Sequence, residues 1–138
     1  MKAGVDKSTV SIIYCSLVRS VIEYAAQLYH HPMNSSQNEK IERLQRIMLK
    51  CIYGFITTYK EALKKSGLMS LEERRRDLCR KFALKTAENP RYEHWFPLRR
   101  RPDYDLRKER KYEEEFAATE RRRKSPLLCM RRLLNEIA

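Results

Sequence analysis

The chain has 138 residues, with thirty Lys and Arg against eighteen Asp and Glu, and a formal net charge of +12. That length fits one domain with a modest core, which hydrophobic residues at 42% suffice to fill. Only three glycines disfavour a turn-rich β architecture, and no apolar run approaches the roughly 20 residues of a membrane span, so an all-α protein with no membrane partner is expected.

Helical periodicity begins almost at once. Val10, Ile13, Tyr14, Leu17, Val18, Val21, Tyr24, Ala25 and Leu28 follow i, i+3, i+4, i+7 spacing. Asp6 or Ser8 can cap this first helix, and His30-His31-Pro32 marks its end. The polar loop Met33-Asn34-Ser35-Ser36 offers a cap for a second helix. Its apolar face is Ile41, Leu44, Ile47, Met48, Cys51 and Ile52; Lys40, Arg43, Arg46 and Lys50 form the other side, and Gly54 is the stop. A third, shorter helix runs from Thr58 as cap through Tyr59, Ala62 and Leu63 to Ser66-Gly67.

The fourth starts at Ser70, with Glu73 three residues on as a capping box, and ends at Asn89-Pro90. Its stripe reads Leu71, Leu78, Cys79 and Phe82. These four helices predict one bundle within residues 1–97, its core holding Leu17, Val21, Leu44, Met48, Leu78 and Phe82. Residues 98–124 carry Arg99-Arg100-Arg101, Glu113-Glu114-Glu115 and Arg121-Arg122-Arg123-Lys124 with few apolar side chains. Such a segment buries too little to offset its ordering entropy, and predicts an extended or partly disordered linker. Residues 125–138 start at Ser125-Pro126 and form a final amphipathic helix. Its Leu127, Leu133 and Leu134 must pack on the bundle or on a protein partner.

No catalytic constellation assembles from these residues. The histidines are His30, His31 and His94, and the first two close a helix, where the macrodipole favours them. Cys15, Cys51, Cys79 and Cys129 lie far apart without CxxC spacing, so no metal or other cofactor is expected. Lys2 is followed by a mixed segment and not an apolar one. Reduced thiols in an intracellular protein, nuclear or cytoplasmic, are the expectation. Glu72-Glu73 suit the first turn of a helix, and Asp103 and Asp105 lie in a Pro- and Arg-rich loop.

What remains is basic patterning. Arg43, Arg46 and Lys50 come from the second helix, Lys64 and Lys65 from the third, and Arg74, Arg75, Arg76, Arg80 and Lys81 from the fourth. Lys and Arg on adjacent helices can match the phosphates of a duplex without reading its bases. The plainer reading is a hydrated basic surface, with part of the charge in pairs to Glu72, Glu73 and Asp77. Tyr92, Trp95 and Phe96 could stack on bases, though at a helix exit they fit better as a lid on the core.

Several segments, in this order, resemble the region after the polymerase core of jockey-type non-LTR retrotransposon reverse transcriptases. They are Ala3-Gly4-Val5, Ile13-Tyr14-Cys15-Ser16-Leu17-Val18-Arg19, Val21-Ile22-Glu23-Tyr24-Ala25, Ile41-Glu42-Arg43-Leu44-Gln45-Arg46 and Tyr59-Lys60-Glu61-Ala62-Leu63. Ser66-Gly67-Leu68, Ser70-Leu71-Glu72-Glu73-Arg74-Arg75, Leu78-Cys79, Ser125-Pro126-Leu127 and Met130-Arg131-Arg132-Leu133-Leu134-Asn135 continue the order. The resemblance covers nearly the whole chain and rests on that order, since no one motif is specific. It implies a helical thumb and tail beside a template–primer duplex. The family's palm aspartates, fingers and endonuclease have no counterpart here, so neither polymerisation nor cleavage carries over. Ser20 replaces a usual Pro, and Tyr29-His30-His31 a usual Trp-His, departures that suit a drifted or domesticated remnant. The alternative expectation is a helical protein-interaction module that binds no nucleic acid.

Overall fold

The computed structural model describes residue 4, residues 6–100 and residues 110–137. The fold is all-α. Among the described residues, no strand accompanies the helices beyond one isolated antiparallel bridge between Leu98 and Tyr112. Two compact units divide the chain. The first is built from the described residues up to Ala26 together with Met33–Arg75, the second from Gln27–Pro32 and the described residues from Arg76 onward.

In the first unit, Asp6 caps α1 (Lys7–Ile13), its carboxylate accepting from the Ser8 amide at 3.2 Å. A π-helical stretch, Tyr14–Arg19, follows, then α2 (Ser20–Glu23). The expected single helix breaks at Tyr24-Ala25, where Ala25 takes φ 52°, before α3 (Ala26–Tyr29). The Ser16 hydroxyl donates back to the Ile12 carbonyl at 2.8 Å and Ser20 to that of Leu17 at 3.1 Å, contacts that bend helices.

These irregularities overturn the expected core. Each π turn closes over one residue more than an α turn, so the inward face slips along the sequence. Tyr14, Ala26 and, partly, Cys15, Arg19, Ile22 and Glu23 face inward. Leu17 and Val21, expected in the core, are 64% and 75% exposed.

The second helix is α4 (Ser35–Tyr53), opened by a capping box between Asn34 and Gln37. It too is rotated from the expected register: Gln45, Leu49 and Ile52 are buried, while Leu44 and Ile47 are about half exposed. Apolar residues cover most of its circumference, and the choice of face falls to Gln45, whose amide finds three partners inside. The Thr58–Glu61 capping box opens α5 (Tyr59–Ser66), which Gly67 closes in the left-handed region at φ 66°. Ser70 and Glu73 form the expected box before α6 (Leu71–Ala87), within which the two units meet in sequence. Of the six expected core residues, Leu17, Val21, Leu44 and Phe82 are exposed, and Met48 and Leu78 only partly buried.

The second unit has a core of Ala83, Phe96, Met130 and Leu134, flanked by Ala87, Trp95, Tyr112 and Leu127. Trp95-Phe96 ends a 3₁₀ turn, Pro90–Trp95, and acts as the expected lid. Two further helices follow, α7 (Glu120–Arg123) and α8 (Pro126–Ile137). Leu133 and Leu134 on α8 are buried, Leu134 within this core and Leu127 packed against it. The described part of the expected linker is tied to α8. Asn135 accepts from the Tyr112 amide at 2.9 Å and donates to the Tyr112 carbonyl at 3.0 Å. Arg131, almost fully buried, donates to the Trp95 carbonyl at 2.8 Å and pairs with Glu115 at 3.1 Å. Residues 101–109, with Asp103 and Asp105, lie outside the described residues.

Candidate nucleic-acid interface

Nine of the ten cations singled out in the sequence fall into three structural situations, and Arg76 is exposed on α6. Arg75 is a correction: it is fully buried, with Nη2 donating to Asn38 Oδ1 at 2.8 Å, and cannot meet a phosphate. It stands one turn after Leu71 on the inward row of α6, a position the run Arg74-Arg75-Arg76 gives no reason to single out. Three others have acidic partners. Arg74 and Arg19 share Glu23 at 3.1 and 2.8 Å, Arg46 pairs with Glu39 at 2.8 Å, and Lys81 with Asp77 at 2.9 Å. Arg43, Lys50, Lys64, Lys65 and Arg80 make no ion pair among the described residues. Arg76, Arg80 and Lys81 belong to the second unit and the remaining seven to the first.

The best-formed basic feature lies on α4. Arg43, Arg46 and Lys50 recur at i, i+3, i+7, which puts them in one row about 10 Å long. The Arg46 guanidinium is held over the Tyr59 ring, 5.3 Å from its centroid, as well as by Glu39. Beside the row is a groove of about 300 Å³ lined by Arg43, Arg46, Ile47, Lys50, Cys51 and Phe55. Phe55 and Ile56, 81% and 100% exposed, sit in the turn after Gly54, whose φ of 91° reverses the chain. Sequence reasoning does not single out these two residues. The available signal is a pair of large apolar side chains in a turn, where no packing pattern calls for them.

Behind the basic row, α4 carries a buried polar network that anchors it. Gln45 is fully buried; it accepts from the Tyr14 hydroxyl at 2.8 Å and donates to the Tyr59 oxygen at 3.2 Å and the Met69 carbonyl at 2.9 Å. Tyr59 in turn donates to Glu42, which also accepts from the Leu71 amide at 3.2 Å. Burial pushes the Tyr14 phenol up to about 12. It raises Tyr59 as well, with Glu42 adding to the effect, so both rings stay neutral donors. The network locks the rotation of α4 and with it the outward aim of Arg43, Arg46 and Lys50.

Among the described residues, no three His, Cys, Asp or Glu side chains gather as a metal-holding group, and no helix is long and apolar enough to cross a membrane. The class these features define is an all-α module with a basic helical row. Comparison with protein-family models, characterised proteins and solved structures finds no match to this chain.

Proposed function

We propose that this chain is a non-catalytic module that grips nucleic-acid backbone through basic helix faces, in the manner of the thumb and tail of a jockey-type reverse transcriptase. The observation that carries the reading is the row Arg43, Arg46 and Lys50, aimed outward by a buried network, with Arg43 and Lys50 in no ion pair among the described residues. The row's length matches about three phosphates of one strand of a duplex. Lys64, Lys65 and Arg80 add cations outside any ion pair among the described residues, whereas Arg74 and Lys81 have acidic partners in place. Docking through the last helix loses its support, because Leu133 and Leu134 are buried and Leu127 packs beside the same core.

The test is affinity for a blunt duplex of arbitrary sequence at several salt concentrations. Binding should be sequence-indifferent and fall steeply with salt, because each neutralised phosphate releases counterions. Arg43→Gln with Lys50→Gln should flatten the salt slope by up to about one unit for each phosphate that is no longer neutralised. No binding to duplex by the unmodified chain at low salt would end this reading.

A further inference from the structure

The groove beside the α4 row has a composition that backbone contact alone does not use. Its lining joins an apolar set, Ile47 and Cys51 one helical turn apart and the Phe55 ring, to three cations, Arg43, Arg46 and Lys50. A ring left 81% exposed in a turn forfeits the burial that normally fixes an aromatic side chain, and Ile56 beside it is wholly exposed. We infer that this groove takes one unpaired base of a single-stranded nucleic-acid segment, stacked on Phe55, while Arg43 and Lys50 hold the flanking phosphates. The inference rests on the backbone-contact reading and adds the kind of strand.

Three considerations select this occupant. A nucleotide presents a flat apolar face and an anionic group a few bonds apart, which matches a lining of apolar side chains beside cations. At about 300 Å³ the groove stands at the small end of ligand sites. An amphipathic helix would need a longer trough, with pockets for anchors at i, i+3, i+4 and i+7, and three apolar lining residues do not supply it. A base inside a duplex is already stacked on its neighbours and cannot enter, so the site distinguishes unpaired from paired strands.

The experiment measures fluorescence anisotropy of the full chain with three labelled probes of equal length: a single-stranded oligonucleotide, an abasic strand of the same charge, and a blunt duplex. Phe55→Ala is the principal variant; its side chain is exposed, and circular dichroism verifies that the helices are intact. The base-bearing strand should bind more tightly than the abasic one. Phe55→Ala should weaken it roughly five- to hundredfold, the range of one base–aromatic stack, and leave the abasic strand and the duplex unchanged. Ile56→Ser, outside the groove lining, should have a smaller effect than Phe55→Ala. If Phe55→Ala changes nothing, or the abasic strand binds as tightly as the base-bearing one, the inference is overturned, while salt-dependent duplex binding leaves the backbone reading standing. If no probe binds, both fall together. An acidic helical peptide that binds the chain in a Phe55-dependent way, with the strand affinity indifferent to Phe55, assigns the groove to a protein partner and likewise overturns the inference.

Discussion

Arg75 shows how burial changes what a charged side chain contributes. It is fully buried and bonds to Asn38; among the described residues, its Nε and Nη1 atoms are buried without a partner. A buried guanidinium with unmet donors costs more than its contacts return, and a flexible apolar chain of similar length fits the same space. Arg75→Met should therefore be neutral or stabilising by about 1–3 kcal/mol in urea unfolding. The same variant should leave the salt slope of duplex binding unaltered; a clear destabilisation would mean that Arg75 has partners in solution. His31 in the second unit gives a pH dependence. Among the described residues its Nε2 is buried without a partner, and burial, followed by the charges of Arg132 and Arg76, holds it below its ordinary 6.5. The folded state thus disfavours the proton that the unfolded state accepts. The contribution is present above pH 6.5 and is lost as pH falls through the depressed folded value. Stability should decline as pH falls from 6.5 toward the depressed folded value, and less so in His31→Gln. Identical pH profiles for the two proteins would refute the assignment.

At the scale of elements, the question is which face of each helix turns inward. Thr58 and Ser70 start their helices as expected, Asp6 is the one of the two offered caps that is used, and Asn34 is the cap within its polar loop, because capping depends on atoms within a few residues. Facing depends on partners far along the chain. Periodicity places Leu17 and Val21 inside and they lie outside; Leu49 is buried to 1% exposure. Leu17→Gln and Val21→Gln should each shift unfolding free energy by no more than about 0.5 kcal/mol. Leu49→Ala should cost roughly 2–5 kcal/mol. Chemical denaturation midpoints of the three variants decide the matter, and a large loss at Leu17 or Val21 would restore the single-bundle arrangement.

For the molecule as a whole, charge and exposed apolar surface pull in opposite directions. A formal +12 keeps copies apart, while Ile12, Leu17, Val21 and Tyr24 of the first unit each leave apolar surface in water. Salt screens the repulsion and leaves the apolar term intact. Sedimentation velocity without nucleic acid should show monomers at low salt and a rising average mass as salt is added. The double variant Leu17→Gln, Val21→Gln should remain monomeric throughout. Nucleic-acid affinity should fall over the same salt range, so the two responses to salt have opposite sign. A wild-type mass independent of salt would contradict this balance.

The all-α class, the caps and glycine stops of α4 and α5, the Ser70 start of α6, and the lid at Trp95-Phe96 are legible along the chain, because such signals act over a few residues; the break at Tyr24-Ala25 and the helix Glu120–Arg123 are not. So is the basic row on α4, since i, i+3, i+7 spacing alone puts Arg43, Arg46 and Lys50 together. Tertiary structure decided the rest. The π-helical stretch moved Leu17 and Val21 outward, and three hydrogen bonds drew Gln45 in, turning Leu44 and Ile47 toward solvent. Arg75 went inside while Arg74 paired with Glu23, though the two are neighbours of one type, and Leu134 of α8 entered the core of its own unit. Each of these outcomes depends on where a partner residue distant in sequence comes to lie, and helical periodicity carries no information about that.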